Sequence, residues 1–183
     1  MEQKSIFWKS AMIYGLYLGI LVTLYSVILY VTGQTQNKTL SYLPIVIYAV
    51  GIVLAQINHR NHELNGIINY GQAFAFGVAV MLFSGIISAL YSLIILKIDP
   101  SLIDQIKIAQ EDAYLKNGMS EDQIEKMMEM SSKMMTPGII AIMGLFGSVF
   151  IGTIVSLVTS IYVKKQPSMD AFDQAMEDVK TEE

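Results

Sequence analysis

The stretch GIIAIMGLFGSVFIGTIVSLVTSIYV (138–163) decides the fold, because it runs for 26 residues without one charged side chain. About 20 apolar residues are enough for a helix to cross the ~30 Å hydrocarbon core of a bilayer. Three more stretches, at about 11–31, 40–57 and 67–96, are equally free of Asp, Glu, Lys and Arg. The sequence therefore predicts an all-α membrane protein with four transmembrane helices.

The composition of the chain agrees with a membrane protein and excludes several classes of function. Of its 183 residues 53% are hydrophobic and 15% are charged, whereas soluble domains carry about 25% charged residues. The chain has no cysteine, which excludes disulfides, thiol catalysis and thiolate metal sites. A net charge of −4 argues against a nucleic-acid partner.

No ionisable side chain is expected at mid-depth in any of the four spans. Proton-coupled transporters and intramembrane hydrolases place such groups there for function, so both classes are disfavoured. Gln56 and Gln72 are the most polar residues of the spans, and both lie near the same side of the predicted membrane. We therefore predict no catalytic residue, no cofactor and no metal site.

The basic residues near the span ends predict the orientation of the chain. Positive side chains are enriched on the cytoplasmic side of membrane proteins. One side carries five basic residues and the other three; the first set is Lys4, Lys9, Arg60, Lys164 and Lys165, and the second is Lys38, Lys97 and Lys133. Both termini, including an acidic tail at 166–183, are thus predicted to be cytoplasmic.

The segment 99–136 is predicted to form an amphipathic helical hairpin on the outer side, between the third and fourth spans. Asp99 and Pro100 indicate the start of a helix, Gly118 its end, and SEDQ (120–123) a capping box that begins a second helix. Five of the twelve methionines lie within 127–135. Methionine packs well against apolar surfaces and can also bind Cu(I). Lipid, protein and copper are therefore all candidate ligands of the hairpin.

Small residues recur at every fourth position in the first and fourth spans. Between membrane helices small residues allow the backbones to approach closely. This pattern predicts helix-packing positions, either inside the four-helix bundle or at an interface with a second copy or a partner. The candidates are Gly15, Gly19, Gly144, Ser148, Gly152 and Ser156.

A tyrosine stripe in the first span is a candidate polar or lipid site. Tyr14, Tyr17 and Tyr25 fall on one arc of the predicted helix. Buried tyrosine hydroxyls usually find a hydrogen-bond partner. The stripe therefore indicates either hydrogen bonds between helices or a groove for a lipid headgroup or a substrate.

The stretch HRNHE (59–63) holds both histidines of the chain, and it is predicted to be the polar turn between spans two and three. His59, His62 and Glu63 do not match a closed structural zinc site, so a metal centre is not favoured. If this region contains a site, Tyr70 and Gln72, which follow the turn, are the first candidates.

Two stretches carry a resemblance to a known family: INYGQAFAFGVAVMLFSGIISALYSLIILKIDP (68–100) and NGMSEDQIEKM (117–127). Together with the fourth span they resemble a family of small four-span bacterial membrane proteins filed as a domain of unknown function. The resemblance covers about 5–165 and supplies no catalytic residues. It implies the bacterial inner membrane, and an accessory role beside membrane glycosyltransferases in envelope or lipid-linked sugar metabolism.

These observations predict a non-enzymatic accessory or scaffold subunit that contacts the lipid bilayer and either a second copy of itself or another membrane protein. The alternative is a lipid-handling or small-solute transport component, with the tyrosine stripe and the outer hairpin as its site.

Overall fold

The computed structural model describes residues 2–35 and 37–166, with the side chains of 2–4 and 38 left out of the description. The predicted acidic tail lies outside the described residues from position 167 onward. Seven helices occupy the described part of the chain: α1 (Glu2–Val31), α2 (Lys38–Ser41), α3 (Leu43–Glu63), α4 (Tyr70–Ile98), α5 (Ser101–Lys116), α6 (Glu121–Met134) and α7 (Pro137–Val163).

Four of these helices are long and apolar enough to cross a membrane, which confirms the predicted fold class. The candidate spans are Ser5–Val31, Thr39–Glu63, Tyr70–Ile98 and Pro137–Val163. Helices α5 and α6 form the hairpin between the third and fourth spans. The first and second spans extend several residues beyond their predicted bounds on the side that carries the start of α1.

Helix α4 is the centre of the bundle and packs between α1 and α7. Helix α3 packs against α7, α1 and α4. The side of the bundle with the start of α1 and the ends of α3 and α7 is called the terminus side here, and the opposite side is called the hairpin side. Because lipid is as apolar as the helices, the close contacts of α4 depend on small residues and polar side chains rather than on burial from water.

The turn predicted at HRNHE (59–63) is wrong, because α3 continues through Glu63. None of these residues breaks a helix. The chain leaves the helix only at Asn65 and Gly66, which take φ angles of 51° and 81°, and the Gly66 N–H bonds to the Arg60 carbonyl at 2.9 Å. Left-handed Gly or Asn residues commonly end helices, and the Asn–Gly pair at 65–66 indicates the end of α3 in the sequence.

Capping groups set the beginnings of α4 and α6. The Asn69 side chain accepts from the Gln72 N–H at 2.8 Å, and the Gln72 side chain accepts from the Asn69 N–H at 3.1 Å. The predicted capping box of Ser120 and Gln123 is also present. Such reciprocal bonds satisfy backbone donors that the first helical turn leaves free.

Candidate functional site

A buried polar cluster joins α3, α4 and α7 in the terminus-side half of the bundle. Gln56 is 0% exposed, and its amide nitrogen donates to the Ala73 carbonyl at 2.9 Å and to the Ser160 hydroxyl at 3.1 Å. Gly77 makes room for the cluster, since a Cβ there would lie 2.9 Å from the Gln56 amide nitrogen and would also collide with Ser156. One side chain therefore links three helices.

Several polar atoms of this interior have no hydrogen-bond partner among the described residues. They include the Gln56 amide oxygen, the Nδ1 atom of His59 and the hydroxyls of Ser84 and Ser156. A buried polar group without a partner is unfavourable in a low-dielectric interior. The contact between α3, α4 and α7 therefore contains more buried polar atoms than its own hydrogen bonds satisfy.

His59 packs beside this cluster inside the bundle. Its ring is 3% exposed and stacks on Phe76, with 4.0 Å between the ring centroids and 4° between the planes. Phe7 approaches His59 edge-on at 6.0 Å. His62, one turn further along α3, is exposed. Among the described residues no group of three His, Asp or Glu side chains is placed to hold a metal ion.

Gln72 and Tyr70 lie at the start of α4, where Gln72 caps the helix and Tyr70 contacts α7. Gln72 is exposed and forms the capping box with Asn69. The Tyr70 hydroxyl donates to the Leu157 carbonyl at 3.3 Å. The buried polar side chains of this region include Gln56, His59 and Ser160, and hydropathy does not indicate that they are buried. The sequence signal for the buried cluster is a single glutamine, Gln56, within an otherwise apolar span.

The structure does not bring the three tyrosines of the predicted stripe into one groove. Tyr14 packs edge-on against Phe76 at 6.3 Å, and the Tyr25 hydroxyl donates to the Leu40 carbonyl at 2.8 Å. Tyr17 is 66% exposed. The neighbouring helices cover only parts of the arc on which the three tyrosines lie.

Five of the six predicted packing residues lie at contacts with α4. Gly15 and Gly19 of α1 are the first two, and a Cβ at Gly15 would lie 2.6 Å from the Val80 carbonyl oxygen. Gly152 lies against Met81, where a Cβ would be 2.5 Å from the Met81 Cβ. Ser148 and Ser156 of α7 face the glycines of α4 at positions 85 and 77.

Gly144 lies away from this contact, with no described atom within 4 Å of a Cβ built there. An α-helix has 3.6 residues per turn, so each four-residue step rotates a stripe by about 40°. The two steps from Gly152 to Gly144 therefore rotate the stripe of small residues away from the buried face of α7.

Gly144 and Gly147 form a shallow notch on the face of α7 that points away from the bundle. Neither has a described neighbour within 4 Å of an added Cβ. Large apolar side chains surround the notch on the same exposed surface: Met143, Phe146, Phe150, Ile151 and Ile154. We name this surface the α7 outer face. Its two glycines allow another helix to approach closely, and its apolar side chains can pack around that helix.

Two of the cavities on the hairpin side share Ile106 of α5 in their linings. A cavity of about 260 Å³ lies between α5 and the ends of α1 and α4. An apolar groove of about 410 Å³ lies between the hairpin and α7. Residues from three helices line this groove, here named the hairpin groove: Ile106 and Gln110, Ser131 and Met134, Ile140 and Met143.

Asp99 joins the hairpin to the bundle beside the smaller cavity. The Tyr30 hydroxyl donates to one carboxylate oxygen of Asp99 at 3.1 Å, and the Ser101 N–H donates to the other at 3.1 Å. The hydrogen bond from the Ser101 hydroxyl is the main reason that the pKa of Asp99 lies below its ordinary value. Burial opposes this shift, and the bonds from the Tyr30 hydroxyl and the Ser101 N–H support it to a smaller extent.

Four long apolar helices, packed through a largely apolar core with small residues at their contacts, define a multi-span α-helical membrane protein in contact with a lipid bilayer. The chain belongs to the family described as Protein of unknown function (DUF4199), whose profile matches residues 13–165. This match confirms the resemblance found in the sequence. No curated protein and no solved structure matches the chain.

Proposed function

We propose that the protein is a non-enzymatic accessory or scaffold subunit of a bacterial inner-membrane or envelope complex, with both termini in the cytoplasm. The observation that supports this proposal is the α7 outer face. Among residues 2–35 and 37–166, one side of α7 packs in the bundle, and its opposite side combines the Gly144–Gly147 notch with exposed apolar side chains.

The notch is suited to a transmembrane helix of another protein or of a second copy. Association of helices in lipid relies on close backbone packing at small residues. Within the bundle, Gly15 and Gly19 allow the same close packing of α1 on α4. The family resemblance makes a membrane glycosyltransferase the first partner to test. Its membrane helix would cover Gly147 and pack between Phe150 and Ile154.

The test is crosslinking in native membranes, followed by purification in a mild detergent and identification of the proteins recovered. Gly147→Leu fills the notch, and Gly138→Leu is the matched control, because Gly138 is an open glycine in the first turn of α7. We expect a crosslinked membrane protein with the wild type and with Gly138→Leu, and its loss with Gly147→Leu. A protein recovered alone and monomeric in every detergent and crosslinker would contradict the proposal.

A lipid-handling component is the second candidate, and the hairpin groove is the observation that favours it. The groove replaces the tyrosine stripe as the candidate lipid site, since the three tyrosines lie apart in the fold.

A further inference from the structure

We propose that the hairpin of α5 and α6 is a lid, which swings as one unit away from the hairpin-side end of the bundle and is held shut by the hydrogen bond between Tyr30 and Asp99. This inference does not depend on the proposed scaffold role. The supporting features are a joint at each end of the hairpin, its loose packing on the bundle, and the polar links that close it.

A joint of two residues lies at each end of the hairpin, and a proline marks each joint. Asp99 and Pro100 separate α4 from α5, and Met135 and Thr136 separate α6 from α7, which begins at Pro137. A proline disfavours helical geometry in the residue before it, and Asp99 and Thr136 accordingly take ψ angles of 87° and 150°. Each helix of the hairpin is therefore broken from the adjoining span. Short joints of this kind absorb the change in backbone angle when a rigid unit swings.

The hairpin packs loosely on the bundle. No residue of α5 is buried, and Ile124, the buried residue of α6, lies near the tip of the hairpin with Leu115 of α5. The buried apolar clusters of the described chain contain no residue from 99–136. Cavities of about 260 Å³ and about 410 Å³ lie between the hairpin and the spans. Segments with few buried apolar contacts open at a lower free energy than the rest of a fold.

Polar side chains of α1 and of the loop after it hold the lid shut. The Tyr30 hydroxyl donates to the Asp99 carboxylate at 3.1 Å, and the Thr35 hydroxyl donates to the Gln105 amide oxygen at 3.3 Å. In the part of the chain that the structure describes, the ion pairs of the hairpin join residues of one helix and do not tie it to the bundle. The bond between Tyr30 and Asp99, here named the latch, acts on the joint itself, because α4 ends and the hairpin begins at Asp99.

Opening of the lid uncovers apolar walls of both cavities. Leu96, in the last turn of α4, is 4% exposed and lines the smaller cavity with Leu102 of α5. Ile140 and Met143 of α7 line the hairpin groove opposite α5 and α6. Because Ile106 of α5 lines both cavities, one movement of the hairpin opens the two together. The lid therefore controls access to both.

The first test measures opening through a cysteine placed under the lid, because the chain has no cysteine of its own. Leu96→Cys puts a thiol in the wall of the smaller cavity. Ile52→Cys is the matched control, because Ile52 is buried in the core between the spans. A water-soluble maleimide is added to the full-length protein in lipid nanodiscs. We expect Tyr30→Phe to speed modification at residue 96 by about two- to tenfold, the factor for one neutral hydrogen bond, and to leave residue 52 unmodified.

Matched substitutions show whether the latch is the cause. Tyr25→Phe makes the same chemical change on α1 but removes a bond to the Leu40 carbonyl, so modification at residue 96 should keep its wild-type rate. Thr35→Val removes the second link to the hairpin and should also speed modification. Because opening breaks both links, the factor for the double variant of Tyr30→Phe and Thr35→Val should be the product of the single factors.

Hydrogen exchange, read by mass spectrometry, shows whether the hairpin opens as a unit. Helices α5 and α6 have 16 and 14 residues, and isolated helices of about this length are marginally stable in water. Their amides therefore exchange from the open state. Tyr30→Phe should speed exchange in α5 and α6 by one common factor and leave exchange in α3, α4 and α7 unchanged.

Equal modification at residue 96 in the wild-type, Tyr25→Phe and Tyr30→Phe backgrounds would overturn the latch. Faster exchange in α5 without faster exchange in α6 would overturn opening as a unit. Faster modification at residue 52 would show that the whole bundle loosens, which also contradicts a lid. If circular dichroism shows that Leu96→Cys does not fold, exchange of the chain without cysteine decides alone. None of these outcomes affects the test at Gly147, so the two proposals can fail independently.

Discussion

Gly15→Ala should destabilise the bundle, because α1 and α4 are in backbone contact at this position. An added Cβ would lie 2.6 Å from the Val80 carbonyl oxygen and 2.6 Å from the Phe83 Cβ. Both atoms are fixed to the backbone of α4, so no side-chain rotation relieves the overlap. The two helices must separate locally, and the contacts of the neighbouring Gly19 with α4 must loosen with them.

The magnitude of this effect follows from two opposing terms. Overpacking of a well-packed interior costs about 1–3 kcal/mol. Replacing a helical glycine by alanine gains up to about 1 kcal/mol in intrinsic helix propensity. Subtracting the second term from the first leaves a net loss of roughly 0–2 kcal/mol in the free energy of unfolding, and a loss of roughly 1–3 kcal/mol relative to the same substitution at an open position.

Gly144→Ala is the matched control for this substitution. It makes the same chemical change in a membrane helix at a position with open space beside it. The control should be neutral, or more stable than the wild type by up to about 1 kcal/mol. The measurement is the unfolding of each protein in the same mild detergent, monitored by circular dichroism. If Gly15→Ala is as stable as Gly144→Ala, the backbone contact between α1 and α4 is not as close as described.

A second comparison tests whether backbone contact is the cause. At Gly51 an added Cβ meets only the end of the Leu18 side chain. Gly51→Ala should therefore be partly rescued by Leu18→Ala, so that the double variant loses less stability than the sum of the two single changes. Gly15→Ala should show no such rescue with Phe83→Ala, because the Cβ of residue 83 and the Val80 carbonyl both remain.

Three further predictions concern polar links of the bundle. Gln56→Leu removes two hydrogen bonds between helices, each worth about 0.6 kcal/mol on average in membrane proteins, so the unfolding free energy should fall by about 1 kcal/mol; an increase would show that the buried amide is unfavourable overall. Arg60→Met removes the bond to the Val163 carbonyl and should speed amide hydrogen exchange at Lys165, while unchanged exchange would show that this bond does not hold the end of α7. Asp99→Asn removes a carboxylate whose pKa is lowered in the folded state, so Asp99 stabilises the protein above its unfolded-state pKa and loses this effect as pH falls through its folded-state value. The stability difference between the wild type and Asp99→Asn should therefore narrow in acid, and a difference independent of pH would contradict this reasoning.

The membrane spans could be predicted because the signal for each lies within one stretch of chain. The 26 uncharged residues at 138–163 and the helix α7 (Pro137–Val163) nearly coincide. The capping box at Ser120 was predictable for the same reason, since its hydrogen bonds join residues three apart. Polarity alone does not indicate where α3 ends, because the polar residues 59–63 continue the helix and the left-handed Asn65–Gly66 pair ends it.

The candidate site was less predictable, because it depends on which faces meet. Gln56 and Gln72 are equally polar in sequence, yet Gln56 is buried among three helices and Gln72 forms an exposed cap. Gly144 belongs to the same four-residue repeat as Gly152, but only Gly152 reaches α4. The hairpin groove combines residues of α5, α6 and α7, and no local pattern indicates that these surfaces lie opposite one another.

The sequence by itself determined that this is an all-α protein with four apolar spans and a hairpin between the last two, because span length, hydropathy and helix capping are local properties. Only the tertiary structure decided that His59 is buried and His62 exposed, and that Gly144 and Gly147 face outward. It alone placed residues of α5, α6 and α7 around one apolar groove. The physical reason is that all spans are apolar on every side, so hydropathy cannot distinguish a face that packs on α4 from one that contacts lipid. That choice depends on close fit between helices, which exists only once they are assembled.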